Sequence, residues 1–484
     1  MNSGKKYIVL LIVLALLCSC TDSSTGKDIE QDILKGLRPA VYLPGNEVTY
    51  NIEDRMKHWN VPAVSLVVID DMEIAYSGAF GIKRMGDSTL IDVNTLFQAA
   101  SISKPVSAVG AMTLACKNEL NIDVDVNQLF QDWQLPYEDY EQRVTIRRIL
   151  SHSAGLSVGG FTGYESEDNL PSILEIIEGR TPANSPAVRI IAQPNTKFMY
   201  SGGGYQVLQK ILEDVTGKSF TKIMQENVFQ PLNMTNSHYA PLDSTNKENA
   251  AFGHTNDYIP DYAPIHVESA AGGLWTTPTD LGLLLIDLMK AYTNEDATIL
   301  DSLTIQAMMQ PNYWDFGLGF KVLGAGKNFR FSHGGATKGW HSHFMAFPER
   351  GQGVVIMTNG TNGWVLWTEI VRSVAAALNW PVEKPRIVKP IDLQKSQIKE
   401  YTGTYEMRGL EVHIKSDSTL LSFEGAGLKW HLIPAKTDTL EIVDMTGQVF
   451  FKRDDNNRVN GLHIWFEEPD WSPYRAWDFI KKID

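Results

Sequence analysis

The chain has 484 residues, of which 43% are hydrophobic and 21% charged, enough apolar content for more than one buried core. A formal net charge of -14 excludes a broad nucleic-acid surface, since backbone binding needs clustered positive charge, but leaves small cationic or zwitterionic substrates open. Of three cysteines, Cys18 and Cys20 lie at the amino end and Cys116 stands alone, so no disulfide framework is expected.

The amino end reads as a signal rather than as fold. Lys5 and Lys6 precede the apolar run from Tyr7 to Leu17, which is too short for a comfortable membrane span. Leu17-Cys18-Ser19-Cys20 resembles a bacterial lipobox, which implies a signal peptide over 1–20 and lipidation of Cys20. The expected location is the cell envelope, lipid-anchored and facing the periplasm or exterior. Residues 21–45, with Pro39, Pro44 and Gly45, read as a tether. A helix is expected from Val48 to Trp59, followed by a hairpin of Val61 to Ile69 and Ile74 to Phe80 around Asp70-Asp71.

The stretch from Thr95 to Val126 carries the first candidate chemistry. An extended lead-in through Phe97 gives way to a helical pattern with Val106, Val109, Met112 and Leu114 as its apolar surface. Ser101 and Lys104, three residues apart, would share one helix face. A hydroxyl attacks only when something takes its proton, and an amine stripped of water can do so. Pro105 fits only in the first helical turn, which puts Ser101 at the helix start, where orphan backbone N–H groups favour negative charge. Cys116, further along, reads as a buried small hydrophobe.

Thr145 to Leu150 is a short helix leading to His152, which is expected to satisfy loop backbone groups. Residues 157–195 read as surface loops and short helices over the site. Helices follow at Tyr205 to Thr216, Phe220 to Val228, Thr277 to Tyr292 and Trp364 to Leu378, with strands at Gly339 to Phe347 and Gly353 to Asn359. Gly202-Gly203-Gly204 and Ala271-Gly272-Gly273-Leu274 lack nucleotide-binding spacing and read as turns. Prolines 381, 385 and 390 mark a linker over 381–395. Beyond it, short strand candidates between Gly403 and Phe466, separated by polar turns, imply seven or eight antiparallel strands in a small barrel or sandwich.

Two further segments bear on Ser101. Tyr200 stands immediately before the glycine triplet, where it is either a packed aromatic or a phenolic base and relay. His333-Gly334-Gly335 leads into the strand bearing Trp340, and its glycines would let a strand edge approach a substrate. Backbone N–H groups of Ser101 and Ala336 are then candidates for an oxyanion hole. His341 and His343 share a strand face, but with no HExxH or HxHxD pattern no metal site is expected, and no cofactor.

Ser101-Ile102-Ser103-Lys104, Tyr200-Ser201-Gly202 and His333-Gly334-Gly335 together resemble the three ordered motifs of penicillin-recognising serine hydrolases of the class C beta-lactamase type. The resemblance spans 46–380 and implies an α+β sandwich, an antiparallel sheet flanked by helices with a helical subdomain. It also implies an acyl-enzyme on Ser101, with Lys104 and Tyr200 moving protons and His333, Gly334 and Gly335 binding substrate. Small peptides with D-residues, esters or beta-lactam-like amides are the implied substrates. Gly202 stands where the family usually has Asn, which argues against strong penicillinase activity. Residues 396–484 resemble the lipocalin-like β-barrel that some relatives carry. The rival readings are a true beta-lactamase and a non-catalytic envelope scaffold.

Overall fold

The computed structural model describes residues 24–484 except 138–139, 240, 256–263, 418–419, 426, 469–471 and 483–484. The expected signal peptide and Cys20 lie outside the described residues. From the amino end come helices α1 (Ser24–Leu34) and α2 (Ile52–Trp59), then strands β1 (Ala63–Asp70) and β2 (Glu73–Gly81). Helices α3 (Ser103–Cys116), α4 (Gly202–Thr216) and α5 (Pro278–Tyr292) follow. Strands β3 (Lys321–Leu323), β4 (Arg330–Thr337), β5 (Trp340–Phe347) and β6 (Gln352–Thr358) then precede helix α6 (Gly363–Ala377). The strands form one antiparallel sheet in the order β2-β1-β6-β5-β4-β3. The first and last strands of the sheet in sequence thus meet at its centre, where β1 pairs with β6.

Alternation along the central strands divides two cores. Ala63, Val67 and Ile69 of β1 and Val355 and Met357 of β6 face the core shared with α3, α4 and α5. Val64, Leu66, Val68, Val354 and Ile356 face the opposite core with α2 and α6. Both faces are covered, so AVSLVVID is buried almost throughout and reads as a continuous apolar run. On the first face α5 comes close enough that a Cβ on Gly282 would sit 3.1 Å from Val67.

The carboxy-terminal unit is a closed barrel. Its strands are β7 (Gly403–Met407), β8 (Leu410–Asp417), β9 (Leu420–Gly425), β10 (Leu428–Lys436), β11 (Thr439–Ile442), β12 (Gly447–Arg453), β13 (Val459–Glu468) and β14 (Ser472–Lys481). All pair antiparallel with their neighbours, and β14 returns to β7. Val412, Phe423, Trp430, Leu432, Leu462 and Ile464 are fully buried and fill the interior with side chains. Phe423 and Trp430 stack with centroids 4.8 Å apart.

Several boundaries differ from the sequence reading. The expected tether is largely folded: Ile33 and Leu37 are fully buried, and Leu37 exchanges backbone hydrogen bonds with Tyr50. Val41–Tyr42 pairs in parallel with Arg386–Ile387, within the expected linker. Ile29, Ile33 and Leu34 form a helical stripe against α6, continued into the same core by Leu37, that the neighbouring prolines and glycine masked in the sequence. Helix α2 begins at Ile52 and not at Val48, because the Asn51 side chain accepts the Glu53 N–H and caps it there. The glycine triplet is not a turn but the first turn of α4, capped by Ser201, whose Oγ accepts the Gly204 N–H at 2.8 Å. Residues Ser269–Gly272 likewise form a helical turn. Cys116 is only half-buried, with its thiol 3.5 Å from Asp301.

Candidate functional site

The Ser101 centre starts from a strained step in the backbone. Phe97–Gln98 pairs with Trp275–Thr276 and delivers the chain to Ala100, whose φ is 48°. An L-residue in that left-handed region costs about 1–2 kcal/mol, and here it turns Ser101 into the mouth of α3. Packing holds the turn in place. Ser103 Oγ donates to the Ala100 carbonyl at 2.6 Å and accepts the Leu274 N–H at 2.9 Å. Helix α3 is buried from Ser103 to Leu114, so it is a central rod and not a surface helix.

Lys104 lies one turn on, with 2% of its surface exposed. Its Nζ is 3.0 Å from Ser101 Oγ and donates to the Ala271 carbonyl at 2.8 Å. Burial lowers its pKa to about 7, because an ammonium there would lose its hydration with no carboxylate to replace it. A large share of Lys104 is therefore neutral at neutral pH, with a lone pair available to the Ser101 proton.

Tyr200 packs above the amine, its ring centroid 5.0 Å from Lys104 Nζ. It is set in place from both sides in sequence. Met199 N–H bonds the His152 carbonyl at 2.7 Å, and the Ser201 N–H donates to His152 Nδ1 at 3.1 Å. His152 thus serves loop backbone, as the sequence suggests, while its ring lies 4.3 Å from that of Tyr200. Burial, then the nearby Lys104 and His333, hold His152 well below the usual histidine range, so it stays neutral.

The third segment is β4. Strand β3 pairs with it from Arg330 to Ser332, through Lys321–Leu323. Gly335 is pressed onto the nucleophile's lead-in, where a Cβ would meet the Ala99 carbonyl at 2.0 Å. His333 is fully buried, its ring 6.3 Å from that of Tyr200 and its Nδ1 2.7 Å from the Gly334 carbonyl. A cavity lined by Ser101, Lys104 and Ala336 also takes in Phe161, His266 and Thr337. The structure therefore sets Ser101, Lys104 and Ala336 in one cavity lining, with Tyr200, His333 and Gly335 packed beside it and Gly334 on the alternate strand face.

The other histidines do not join them. His343 opposes Gly334 across the β4–β5 pairing, and its ring stacks on Trp367 of α6 at 4.1 Å, on the far side of the sheet from the cleft. Among the described residues no group of three or more His, Cys, Asp or Glu could hold a metal ion.

Gly202 has a steric explanation. A Cβ there would meet the Gly159 carbonyl at 3.1 Å and the Phe161 ring at 3.2 Å, so the loop over the site occupies the space of a longer side chain. Sequence reasoning missed Phe161, His266 and Thr337 in the lining of the cleft and Glu268 behind His266. Nothing local marks Phe161, His266 and Glu268, since they sit in segments without periodicity and reach the site only through the fold. The one available signal was the closeness of His266 and Glu268 in sequence to the Ala271-Gly272-Gly273-Leu274 segment.

Comparison with known proteins agrees with this architecture. The family model described as Beta-lactamase matches residues 48–377. Penicillin-binding protein 4 of Amycolatopsis lactamdurans is 24% identical over 374 residues, covering 73% of this chain and 95% of that protein. The octameric penicillin-binding protein homologue from Pyrococcus abyssi superposes with a TM-score of 0.58 at 20% identity, over 89% of this chain and 98% of that one. SurE with D-Leu gives 0.55 at 21% identity, over 89% and 97%.

Proposed function

The chain belongs to the beta-lactamase family of serine hydrolases, and from that premise we propose that it cleaves small amide or ester substrates through an acyl-enzyme on Ser101. The observation that carries this reading is the 3.0 Å approach of a buried Lys104 amine, with its pKa near 7, to the Ser101 hydroxyl. In the proposed first step neutral Lys104 takes the Ser101 proton as Oγ attacks the substrate carbonyl. Ser101 and Ala336 N–H groups receive the oxyanion. Tyr200, stacked over the amine, relays the proton to the departing amine or alcohol. Water then attacks the acyl-enzyme, with Tyr200 returning as base. His333, Gly334 and Gly335 form the wall along which the substrate lies.

D-residue peptides and carboxylic esters are the proposed substrates, in keeping with a structural neighbour seen with D-Leu. Gly202 and the loop that fills its surroundings weigh against a true beta-lactamase. We further propose that the protein is anchored in the cell envelope by lipid on Cys20, a reading that rests on Lys5, Lys6 and the Leu17-Cys18-Ser19-Cys20 run.

The test compares the wild type with Ser101→Ala on chromogenic esters, D-amino-acid amides and a chromogenic cephalosporin. Intact-mass measurement after fluorophosphonate or penicillin treatment runs in parallel. Turnover and adduct are expected in the wild type and absent in the variant. Activity that survives Ser101→Ala, or no adduct in the wild type, would overturn the proposal, and the latter would favour a scaffold role.

A further inference from the structure

A substrate at Ser101 has two flanks, and only one is used by the chemistry above. Residues His333, Gly335 and Thr337 share one face of β4 by strand alternation, and Gly335 shows that this face is turned toward Ser101. His333 and Thr337 therefore stand at opposite ends of the cleft, about 13 Å apart at the rise of a strand. Tyr200, Lys104 and His152 cluster at the His333 end. At the Thr337 end lies a separate polar chain. His266 Nε2 is 3.1 Å from Thr337 Oγ1, and His266 Nδ1 is 3.6 Å from Glu268 Oε2.

Glu268 is 0% exposed, with the Tyr164 phenol as its hydrogen-bonding neighbour and His266 Nδ1 at 3.6 Å. The Tyr164 phenol, pushed up first by burial, also feels the Glu268 charge. The segment is rigidly held. Tyr164 and Ile265 exchange backbone hydrogen bonds at 2.9 and 2.8 Å, and Gln98 donates to the Pro264 carbonyl at 2.6 Å. Gly163, at φ +74°, lets the loop close on His266, whose ring a Cβ there would meet at 3.0 Å.

A buried carboxylate without a full partner is costly to keep unless something it binds repays it. Glu268 stands 3.6 Å from one imidazole nitrogen, and the tautomer with its proton on that Nδ1 presents Nε2 as an acceptor on the cleft side. With the Thr337 hydroxyl this makes two acceptors backed by buried negative charge, the complement of a hydrogen-bond-donating cation. The position decides which part of the substrate that is. If Tyr200 protonates the leaving group at the His333 end, the acyl part lies at the Thr337 end.

We propose that His266, Thr337 and Glu268 form a subsite for the free α-ammonium group of an aminoacyl substrate. His266 Nε2 and Thr337 Oγ1 accept its N–H bonds, and Glu268 supplies the balancing charge. This rests on the acyl-enzyme reading and narrows it: the enzyme removes or transfers an amino-terminal residue rather than trimming a carboxy-terminal one. His266 and Thr337 are specificity residues, and Glu268 is a positioning residue that acts through His266.

The test uses the full-length protein and pairs of D-alanyl and D-leucyl p-nitroanilides and p-nitrophenyl esters, with each amine either free or acetylated. Expected is a kcat/KM ratio favouring the free amine by about tenfold or more, as a site built to bind a polar group discriminates against its loss. In Glu268→Gln that ratio falls toward one, chiefly through KM, and Thr337→Val moves it in the same direction. A wild-type ratio near one, or an unchanged ratio in Glu268→Gln, overturns the subsite. Should Glu268→Gln fail to fold, the wild-type ratio alone decides. Fluorophosphonate labelling of Ser101 separates the two levels. A labelled enzyme with no amine preference sinks the subsite alone, and an unlabelled one sinks the acyl-enzyme reading with it.

Discussion

Burial of Lys104 acts in opposite directions on turnover and on stability. Its pKa falls from 10.5 in a solvated chain to about 7 in the fold. Proton abstraction needs the neutral amine, so kcat/KM is expected to rise with pH through about 7, and a flat profile across that range contradicts Lys104 as base. Lys104→Arg, which cannot become neutral, should lower kcat by about 10²–10⁴-fold. For stability the sign follows from proton counting. Between pH 7 and 10.5 the unfolded chain holds a proton on Lys104 that the folded chain has shed, so stability rises with pH across that window. Lys104→Met should flatten the rise, as read from urea unfolding at the two ends of the window. Gly202 supplies a second residue-level expectation. Gly202→Asn restores the family residue but pushes into the Gly159 carbonyl and Phe161, so it should lower thermal stability and should not yield fast cephalosporin turnover.

At the level of elements, α4 shows how tertiary contact overrides composition. Three glycines would ordinarily weaken a helix start by roughly 1 kcal/mol each relative to alanine. Position 203 has no room for anything larger, since a Cβ would meet the Ser157 carbonyl at 2.7 Å and Val188 at 2.8 Å. Position 204 has ordinary contacts of 3.4 Å and beyond. Gly203→Ala is therefore expected to destabilise by about 1–3 kcal/mol, whereas Gly204→Ala should be neutral or stabilise by up to about 1 kcal/mol. Urea midpoints of the two variants check this directly, and equal shifts would refute it. The same helix explains why its start was misread. GGG beside a tyrosine looks like a turn locally, and only the Ser201 cap and the packed loop at Ser157 and Val158 make it helical. Long apolar stretches such as α3, α5 and β1 were legible because their period exceeds the noise of single residues. Short β3 was not, nor was β14, whose Pro473 and alternating charges hide a strand paired along most of its length.

For the molecule as a whole, the sheet's back face and the barrel share one continuous core. Trp59, Val64, Leu366 and Val371 belong to the same buried cluster as Tyr401, Trp430 and Leu462. Polar contacts cross the same boundary. Arg55 bonds Glu369 through two nitrogens at 2.8 and 2.5 Å and reaches Asp444 of the barrel side at 3.2 Å, while Arg372 donates to the Asp444 carbonyl. A chain truncated after residue 395 should thus be insoluble or only marginally folded, as size-exclusion chromatography would show. A well-folded, active fragment would argue that the two units are independent. Arg55→Met, which strands two buried carboxylates, should cost about 3–5 kcal/mol in chemical denaturation. The cleft lies on the opposite side of the sheet, and its lining residues come from positions 100 to 337.

The sequence by itself determined the helix that bears Lys104 and opens just after Ser101, because one turn of helix is a local fact. It also marked the ordered motifs at Tyr200 and His333, and the change of composition that heralds the barrel. Only the tertiary structure decided what surrounds them. Lys104 has its pKa lowered because distant segments bury it without a carboxylate, and Gly202 is glycine because a loop more than 40 residues earlier fills its space. His266 and Glu268 gain meaning only where the 266 segment is laid against the end of β4. Spacing along a chain reports neighbours one turn apart, whereas desolvation, packing and the pairing of charges depend on which residues folding brings within a few ångströms.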